Sequence, residues 1–501
     1  MTSVYPGALD SLNTALVNAT NEFNTHPNHH NDLADAINKI EAELGISPKG
    51  AFGTVKARLD SIAVSKTRIN IADAPYSVSP HPTTDWTTQI NQAITDANAA
   101  AVGPIEIYFP KGLYRFTTLT MKSNVTLIGD GMTQTIFRTL GPASVNALIS
   151  STGTRMRLQD LTIDGNNHAN AARGLSVTGN GNDKFLEVRR VKFMKFTTNT
   201  PMSPGSAAGI YVWTCQQVKI IECEFEDCVN PIFADTAEAT TWIVNNTITN
   251  PGLLCADGIT IKDGSGAIVM GNKIYDVTID AGAIGVDGHA IQNISCAGAQ
   301  IIGNYVKNCK TAGIHVGGAA GGCSIVGNTL INCCTLNGGA IYLEILFGST
   351  NLPTATDIFG GMIMGNRIYN AGVFGISLSY SAGTLCKGNH IAKCQQEAII
   401  TDSDRCIIEG NECVNSHRSG TNLITASPNV KSHIRCYGPS TRCAISNNMC
   451  YDSASPKVCD YGVAVTDASH TIVGNQLGGN LTGGLFEVGA TTNQKAANIV
   501  T

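Results

Sequence analysis

The chain has 501 residues, of which 52 are glycine, 43% are apolar and only 14% are charged, a composition of many tight turns and much buried strand with few exposed charged helices. A net charge of −5 supplies no positive excess for a phosphate backbone or an anionic bilayer, so neither nucleic acid nor membrane insertion is expected. No run approaches about 18 consecutive apolar residues, and Met1–Asp10 lacks the basic start and apolar stretch of an export signal, so the expectation is a soluble chain not exported by the usual route.

In chain order, Leu33, Ile37, Ile40 and Leu44 step by four, three and four residues, and Val55, Leu59 and Ile62 repeat the pattern. Each set makes one apolar seam on a short helix, with Gly45-Ile46-Ser47-Pro48 as the break between them. So short a seam on a segment with little core of its own suggests packing against copies of itself or a neighbour. Residues 1–68 are therefore set apart as a helical attachment and oligomerisation segment. His26-Pro27-Asn28-His29-His30 reads as the polar start of the first helix in preference to a metal site.

After about residue 240 a phrase of the type apolar, x, Gly/Asn, Asn, x, apolar recurs: Ile243 to Ile248, Val269 to Ile274, Ile301 to Val306, Ile325 to Leu330 and Ile363 to Ile368. It continues around Asn389, Asn411, Asn448 and Asn475, and a period of this length marks a solenoid. A second phrase lies between, glycine followed by alternating apolar residues, as in Gly209-Ile210-Tyr211-Val212, Gly258-Ile259-Thr260-Ile261 and Gly313-Ile314-His315-Val316. Two short strands per repeat, separated by Gly and Asn, predict the coil of a parallel β-helix. Gly and Asn accept the left-handed backbone of a tight corner, and stacked asparagines can hydrogen-bond as a ladder, so these asparagines read as structural.

The seventeen cysteines read as buried thiols, not disulfides. Cys309, Cys333 and Cys394 each follow a repeat asparagine by about five residues, which predicts an inward thiol column. No spacing marks a zinc site, and Cys333–Cys334 has no CxxC partner, so neither metal nor cofactor is expected.

Ile105-Glu106-Ile107-Tyr108-Phe109-Pro110-Lys111-Gly112-Leu113-Tyr114, followed by Val125 to Gly131, resembles the opening coils of the pectate-lyase-like β-helix superfamily. The stretch Asp85 to Ile94 resembles the short helix that caps the open solenoid in that family. The resemblance implies an all-β fold, a right-handed single-stranded parallel β-helix of roughly 15 coils at about 4.8 Å each, with a short α-helical N-terminal segment. Its expected parts are a linker and capping helix over 69–104, the β-helix over 105–490, and a tail over 491–501.

Outward side chains of successive coils stand in columns, so a catalytic group finds its neighbour one coil away. Aligning the glycine-initiated strands places Tyr211, Thr260, His315, Tyr342 and Ser377 in one outward column and Trp213, Lys262, Glu344 and Ser379 in another. This mixture of aromatic, basic and acidic groups suits sugar rings and hydroxyls. For hydrolysis, Glu344 could be the acid with Asp357 or Asp402 as partner; for β-elimination, His315 or Tyr342 could be base and acid, with Lys262 neutralising a sugar carboxylate. Asp257-Gly258 and Asp287-Gly288 offer a second carboxylate pair, with His289 as companion. The catalytic candidates are thus Glu344, His315, Tyr342, Asp257 and Asp287, and the substrate-binding candidates Tyr211, Trp213, Lys262, His289, Asp357 and Asp402.

The phrases His29 to Ile37 and Gly53 to Leu59 resemble amino-terminal segments of phage tail proteins, and joined to a β-helix they resemble a phage tailspike. That resemblance implies a virion protein made in the host cytoplasm. It further implies a homotrimer joined to other virion tail proteins through its N-terminal segment, binding and depolymerising a bacterial surface polysaccharide by hydrolysis or β-elimination. A non-catalytic adhesin on the same scaffold is the alternative.

Overall fold

The computed structural model describes residues 68–500 except 101–102, 141–146, 152, 167–172, 179–183, 198–207, 236–239, 250–256, 278–287, 319, 336–337, 345–359, 419–429, 439, 467–468 and 489–492. The helices expected within 1–68, the His26–His30 cluster, Asp287 and Asp357 lie outside the described residues. Arg68–Ala99 and Pro104–Thr501 form one unit.

Each coil carries three short strands, one more than the two read from the sequence. Ser324–Val326 turns at a corner into Thr329–Cys333, and Gly339–Glu344 follows as the third strand. The repeated phrase straddles the first two strands, and only the corner residues Gly327 and Asn328 separate them, so in sequence they read as one. Stacked coil on coil, first and second strands form a 29-stranded sheet and third strands a 14-stranded sheet. Among the described residues every strand pairing is parallel, as a solenoid of right-handed coils requires. The strands Met156–Asp164 and Phe185–Phe196 bend at Asp160 and Arg190 and so run through both parts of the larger sheet.

The corner between first and second strands is the most regular element of the chain. Its first residue is left-handed in coil after coil: Asn245, Gly271, Gly303, Gly327, Gly365, Gly388, Gly410, Asn447, Gly474 and Ala497 have φ between 52° and 68°. Side chains other than Gly and Asn pay a steric penalty there, which explains the sequence phrase. The next residue is a buried asparagine whose Oδ1 accepts from the backbone N–H and the Nδ2 of the asparagine one coil earlier. Asn366 Oδ1 accepts from Asn328 N at 2.9 Å and Asn328 Nδ2 at 3.0 Å, and Asn366 Nδ2 donates to Asn389 Oδ1 at 2.9 Å and to Ile325 O at 2.9 Å. The same exchange links Asn246, Asn272, Asn304, Asn328, Asn366, Asn389, Asn411, Asn448, Asn475 and Asn498. Asn498 joins nine asparagines visible as a repeat; it was hidden because Ala497 replaces the preceding Gly or Asn. A shorter ladder runs along the next corner, where Asn370 Nδ2 donates to Asn332 and Asn332 Nδ2 to Asn308, each at 2.9 Å.

Inside, Ile210, Ile232, Ile259, Ile291, Ile314, Ile341, Ile376, Ile399 and Ile434 stack in register along the third strands and are fully buried. Sixteen cysteines among the described residues are free and buried; Cys309 pairs in register with Cys333 as the expected thiol column requires, whereas Ala371 takes the next rung and separates Cys333 from Cys394. The helix Thr87–Ala99 buries Ile90, Ala93, Ile94 and Ala97, one stripe at helical spacing. Asp85 Oδ1 accepts from Thr87 N at 2.9 Å at its start, and Asn91 ties it to the first third-face strand, donating to Thr118 O and accepting from Thr120 N.

Two expected boundaries move. The strand Arg68–Asn70 already pairs with Ile105–Phe109, within the expected linker, and Gln494–Ala496 and Ile499–Val500 pair with strands of the preceding coil, within the expected tail. Both ends lack the glycine-led phrase, so the repeat fades in sequence before the ladder ends.

Replacing Asn366 by alanine leaves two buried donors of Asn328 without an acceptor, so urea denaturation should show a loss of about 3 kcal/mol, at roughly 1–3 kcal/mol per orphaned group. Asn498→Ala, at the half-buried end of the ladder, should cost about 1 kcal/mol or less; equal losses at both positions would contradict a ladder of mutually dependent amides.

Candidate functional site

The third strands project two outward columns, and the register defines both. The first runs Tyr211, Phe233, Thr260, Gln292, His315, Tyr342, Ser377, Ile400 and Arg435. The second runs Trp213, Asp235, Lys262, Ile294, Gly317, Glu344 and Ser379. Leu378 pairs with Thr401 and Thr401 with Cys436, so Asp402 and Tyr437, the next residues along, continue the second column past Ser379.

The first column is not an open groove. Tyr211, Thr260, Gln292 and His315 are all buried, His315 to 1% exposure. Tyr211 stacks on Phe233 at 5.3 Å, and the Arg173 guanidinium lies 3.4 Å over its ring, so its faces are engaged within the protein. The second column is more open: Trp213 is 52% exposed and the Glu344 side chain 24%. Lys262 lies in it, but its ammonium is 3.0 Å from Asp235 and 3.1 Å from Asp263. Burial would lower its pKa, and these two carboxylates hold it above the ordinary value instead, so Lys262 is bound to neighbours and not poised for a sugar carboxylate.

Of the expected carboxylate pair, Asp257 lies among the described residues and Asp287 does not. Ile259 is in register with Ile291, so Asp257 stands opposite His289, and its Oδ1 accepts from the His289 backbone N–H at 2.9 Å. Its other oxygen accepts from Thr260 Oγ1 at 3.0 Å, making Asp257 a corner brace.

His289, His315, Tyr342 and Glu344 come together over three successive coils. The His289 and His315 rings are 4.5 Å apart, the His315 and Tyr342 rings 5.3 Å, and His315 Nε2 lies 4.0 Å from Glu344 Oε2. His289 Nδ1 accepts from Ala312 N–H at 3.2 Å, which leaves its ring proton on Nε2. Burial first, and then the neighbouring His315, hold His289 well below its ordinary pKa; burial lowers His315 to about 4. Both imidazoles are therefore neutral near pH 7. Gly317 leaves a notch beside this group, since a Cβ there would meet His315 Cε1 at 3.2 Å and Glu344 O at 3.2 Å. Burial, and next the adjacent Glu344, raise the Tyr342 hydroxyl far above its usual value, so it keeps its proton.

Glu344 and Asp402 stand two rungs apart with Ser379 between them. Asp402 Oδ2 accepts from Ser379 Oγ at 3.0 Å and Oδ1 from Tyr380 N–H at 3.1 Å. Burial raises the Asp402 pKa in spite of these hydrogen bonds. Tyr342, the 39%-exposed Tyr380 and Tyr437 surround the two carboxyls. Tyr380, Tyr437 and Asp235 were missed in the sequence. In the coils of Asp402 and Tyr437, Ala398 and His433 occupy the corner place held elsewhere by glycine, so the strand phrase that gave the alignment is absent.

The buried neutral histidines give stability a pH dependence. His433, further along the interior, is also lowered by burial to about 4, whereas an unfolded histidine titrates near 6.5. Below about pH 6.5 the unfolded chain takes up protons that the fold refuses, so stability should fall as pH drops from about 6.5 towards about 4. The urea midpoint at pH 5 should lie below that at pH 7, and His315→Asn should flatten the difference; identical midpoints would contradict neutral buried imidazoles.

The family model described as "Right handed beta helix region" matches residues 159–352 and 346–500. No curated protein sequence matches the chain. Similar solved structures include the A-module of an Azotobacter vinelandii mannuronan C-5 epimerase, 16% identical with a TM-score of 0.43 over 86% of this chain and 98% of that one. The catalytic unit of an alpha-1,3-glucanase from Streptomyces thermodiastaticus is 13% identical with a TM-score of 0.48, over 86% of this chain and 68% of that one. The Dettilon tailspike protein is 16% identical with a TM-score of 0.48, over 88% of this chain and 71% of that one. With three ladders of parallel strands closed around one interior and a family match across most of its length, the chain belongs to the right-handed β-helix family.

Proposed function

We propose that the protein binds a bacterial surface polysaccharide along the second outward column and hydrolyses it, with Asp402 as general acid and Glu344 as the base that activates water. One observation carries this reading: two carboxyls, one of them raised in pKa, stand two rungs apart on the open column amid three tyrosines. Two rungs at about 4.8 Å make about 9.6 Å, close to the roughly 6.5–9.5 Å that leaves room for a water between an inverting pair. An acid must keep its proton until the leaving oxygen needs it, and burial shifts the Asp402 pKa upward, the direction that role requires. Tyr342, Tyr380 and Tyr437 supply apolar faces and hydroxyls for the sugar rings. Trp213 stands five rungs from Glu344, about 24 Å, a span suited to a polymer and not to a single sugar.

Elimination is the less supported chemistry. It would use His315, which is buried, and Tyr342, whose hydroxyl holds its proton too tightly to serve as a base. The setting we propose is a virion tailspike, joined to other tail proteins through residues 1–68 as a homotrimer. Its support is the sequence resemblance, and analytical ultracentrifugation of the full chain should show three copies per particle.

Incubation of the full-length protein with a panel of capsular polysaccharides should release reducing ends without unsaturated products. Glu344→Gln and Asp402→Asn should each lower kcat by about 10³-fold while binding persists. Activity should decline as pH rises through the raised pKa of Asp402, because the acid then loses its proton, and Asp402→Asn should remove that limb. Unsaturated products would assign elimination instead, and binding without cleavage would make the protein an adhesin. Trp213→Ala should weaken polysaccharide binding about tenfold, the loss of roughly 1.4 kcal/mol of contact, and leave the urea midpoint unchanged.

A further inference from the structure

The interior holds a donor set that linear spacing concealed. Cys436 ends the third-face strand Ser432–Cys436, Cys443 directly precedes Ala444–Ser446, and His470 directly precedes Thr471–Val473. The three meet at the corner between third and first strands. One ligand atom from each lies within 4.8 Å of the others, and all three residues are 0% exposed. Cys406 occupies the same corner one coil earlier, since Ala444 N–H donates to Cys406 O at 2.9 Å, and its thiol hydrogen-bonds that of Cys443.

This corner elsewhere holds small residues. By the same backbone pairing it is Ala267, Ala299, Cys323, Gly361 and Thr384 in preceding coils. A fully buried imidazole at 470 breaks that pattern where the thiols of Cys436 and Cys443 lie within 4.8 Å of it, so packing alone does not account for the combination. Thiolate sulfur and neutral imidazole are the donors of closed, four-coordinate structural zinc, with bonds of about 2.3 Å to sulfur and about 2.0 Å to nitrogen. Cys436, Cys443 and His470, within 4.8 Å of one another, need only modest side-chain rotation to close on such an ion, and Cys406, one rung before Cys443, would swing towards them as the fourth donor.

We propose that Cys436, Cys443 and His470, with Cys406 as the fourth donor, form a structural zinc site inside the β-helix. Binding exchanges the thiol protons of the three cysteines for the cation and changes no oxidation state. Because the donors are sealed from solvent, the ion enters while these coils fold, and it ties together strands from three consecutive turns. This is independent of polysaccharide cleavage, which uses neither these residues nor this interior.

Full-length protein produced with added zinc should carry about one zinc per chain by mass-spectrometric metal analysis. Protein produced with cobalt in place of zinc should show a thiolate-to-cobalt charge-transfer band, which a site built from histidines alone cannot give. Cys436→Ser and His470→Gln should each lower the bound metal several-fold, while Cys309→Ala, in another part of the core, should leave it unchanged. Metal-free wild-type protein, or bound cobalt without the thiolate band, would overturn the assignment; this wild-type readout decides even where a variant does not fold. Retention of a full equivalent in folded Cys436→Ser and His470→Gln would overturn it equally.

Discussion

The structure rests on one hydrogen-bonded corner. From Asn246 to Asn498 a left-handed residue turns each coil and the asparagine after it hands its amide to the next coil, so backbone and side chain of one turn are satisfied by the side chain of the following one. A buried amide without a partner is costly, and amides in a row polarise one another. The corner therefore fixes the height of each coil relative to its neighbours, and with it the register of every strand that follows.

That register is what brings chemistry together. Glu344, Ser379, Asp402 and Tyr437 come from four different coils and meet only because third strands stack without slipping. The same stacking separates two environments a few ångströms apart. The column of His315 and Thr260 is closed to water, and its imidazoles are neutral; the column of Trp213 and Glu344 meets solvent. Residue types alone suggested one mixed surface, and the difference in exposure assigns the two columns different work.

The fold was legible because its two demands, an achiral or amide-bearing residue at the corner and an apolar residue pointing inward, leave a repeating trace. The trace fails where another residue meets the same demand: Ala497 takes the left-handed geometry before Asn498, and Ala398 and His433 stand where glycine was expected. The columns through Tyr211, Thr260, His315 and Tyr342 could be read because their strands begin with glycine or alanine at the same offset. Burial could not be read, since what covers an outward side chain belongs to other parts of the chain. Nor could the grouping of Cys436, Cys443 and His470, because neighbours in a solenoid are separated by a coil and coils differ in length.

Those differences in length have a consequence of their own. Ladder asparagines are separated by 22 residues in one step and by 38 in another, yet the hydrogen bonds between them stay at 2.9–3.0 Å. The surplus is spent between corners, as in the sequence between the strands Gly339–Glu344 and Met362–Met364. Segments between corners can therefore lengthen, shorten or change composition while the corner keeps its geometry. The scaffold is conservative and its rim is free to drift, a division under which one framework can acquire a new sugar preference without having to fold anew.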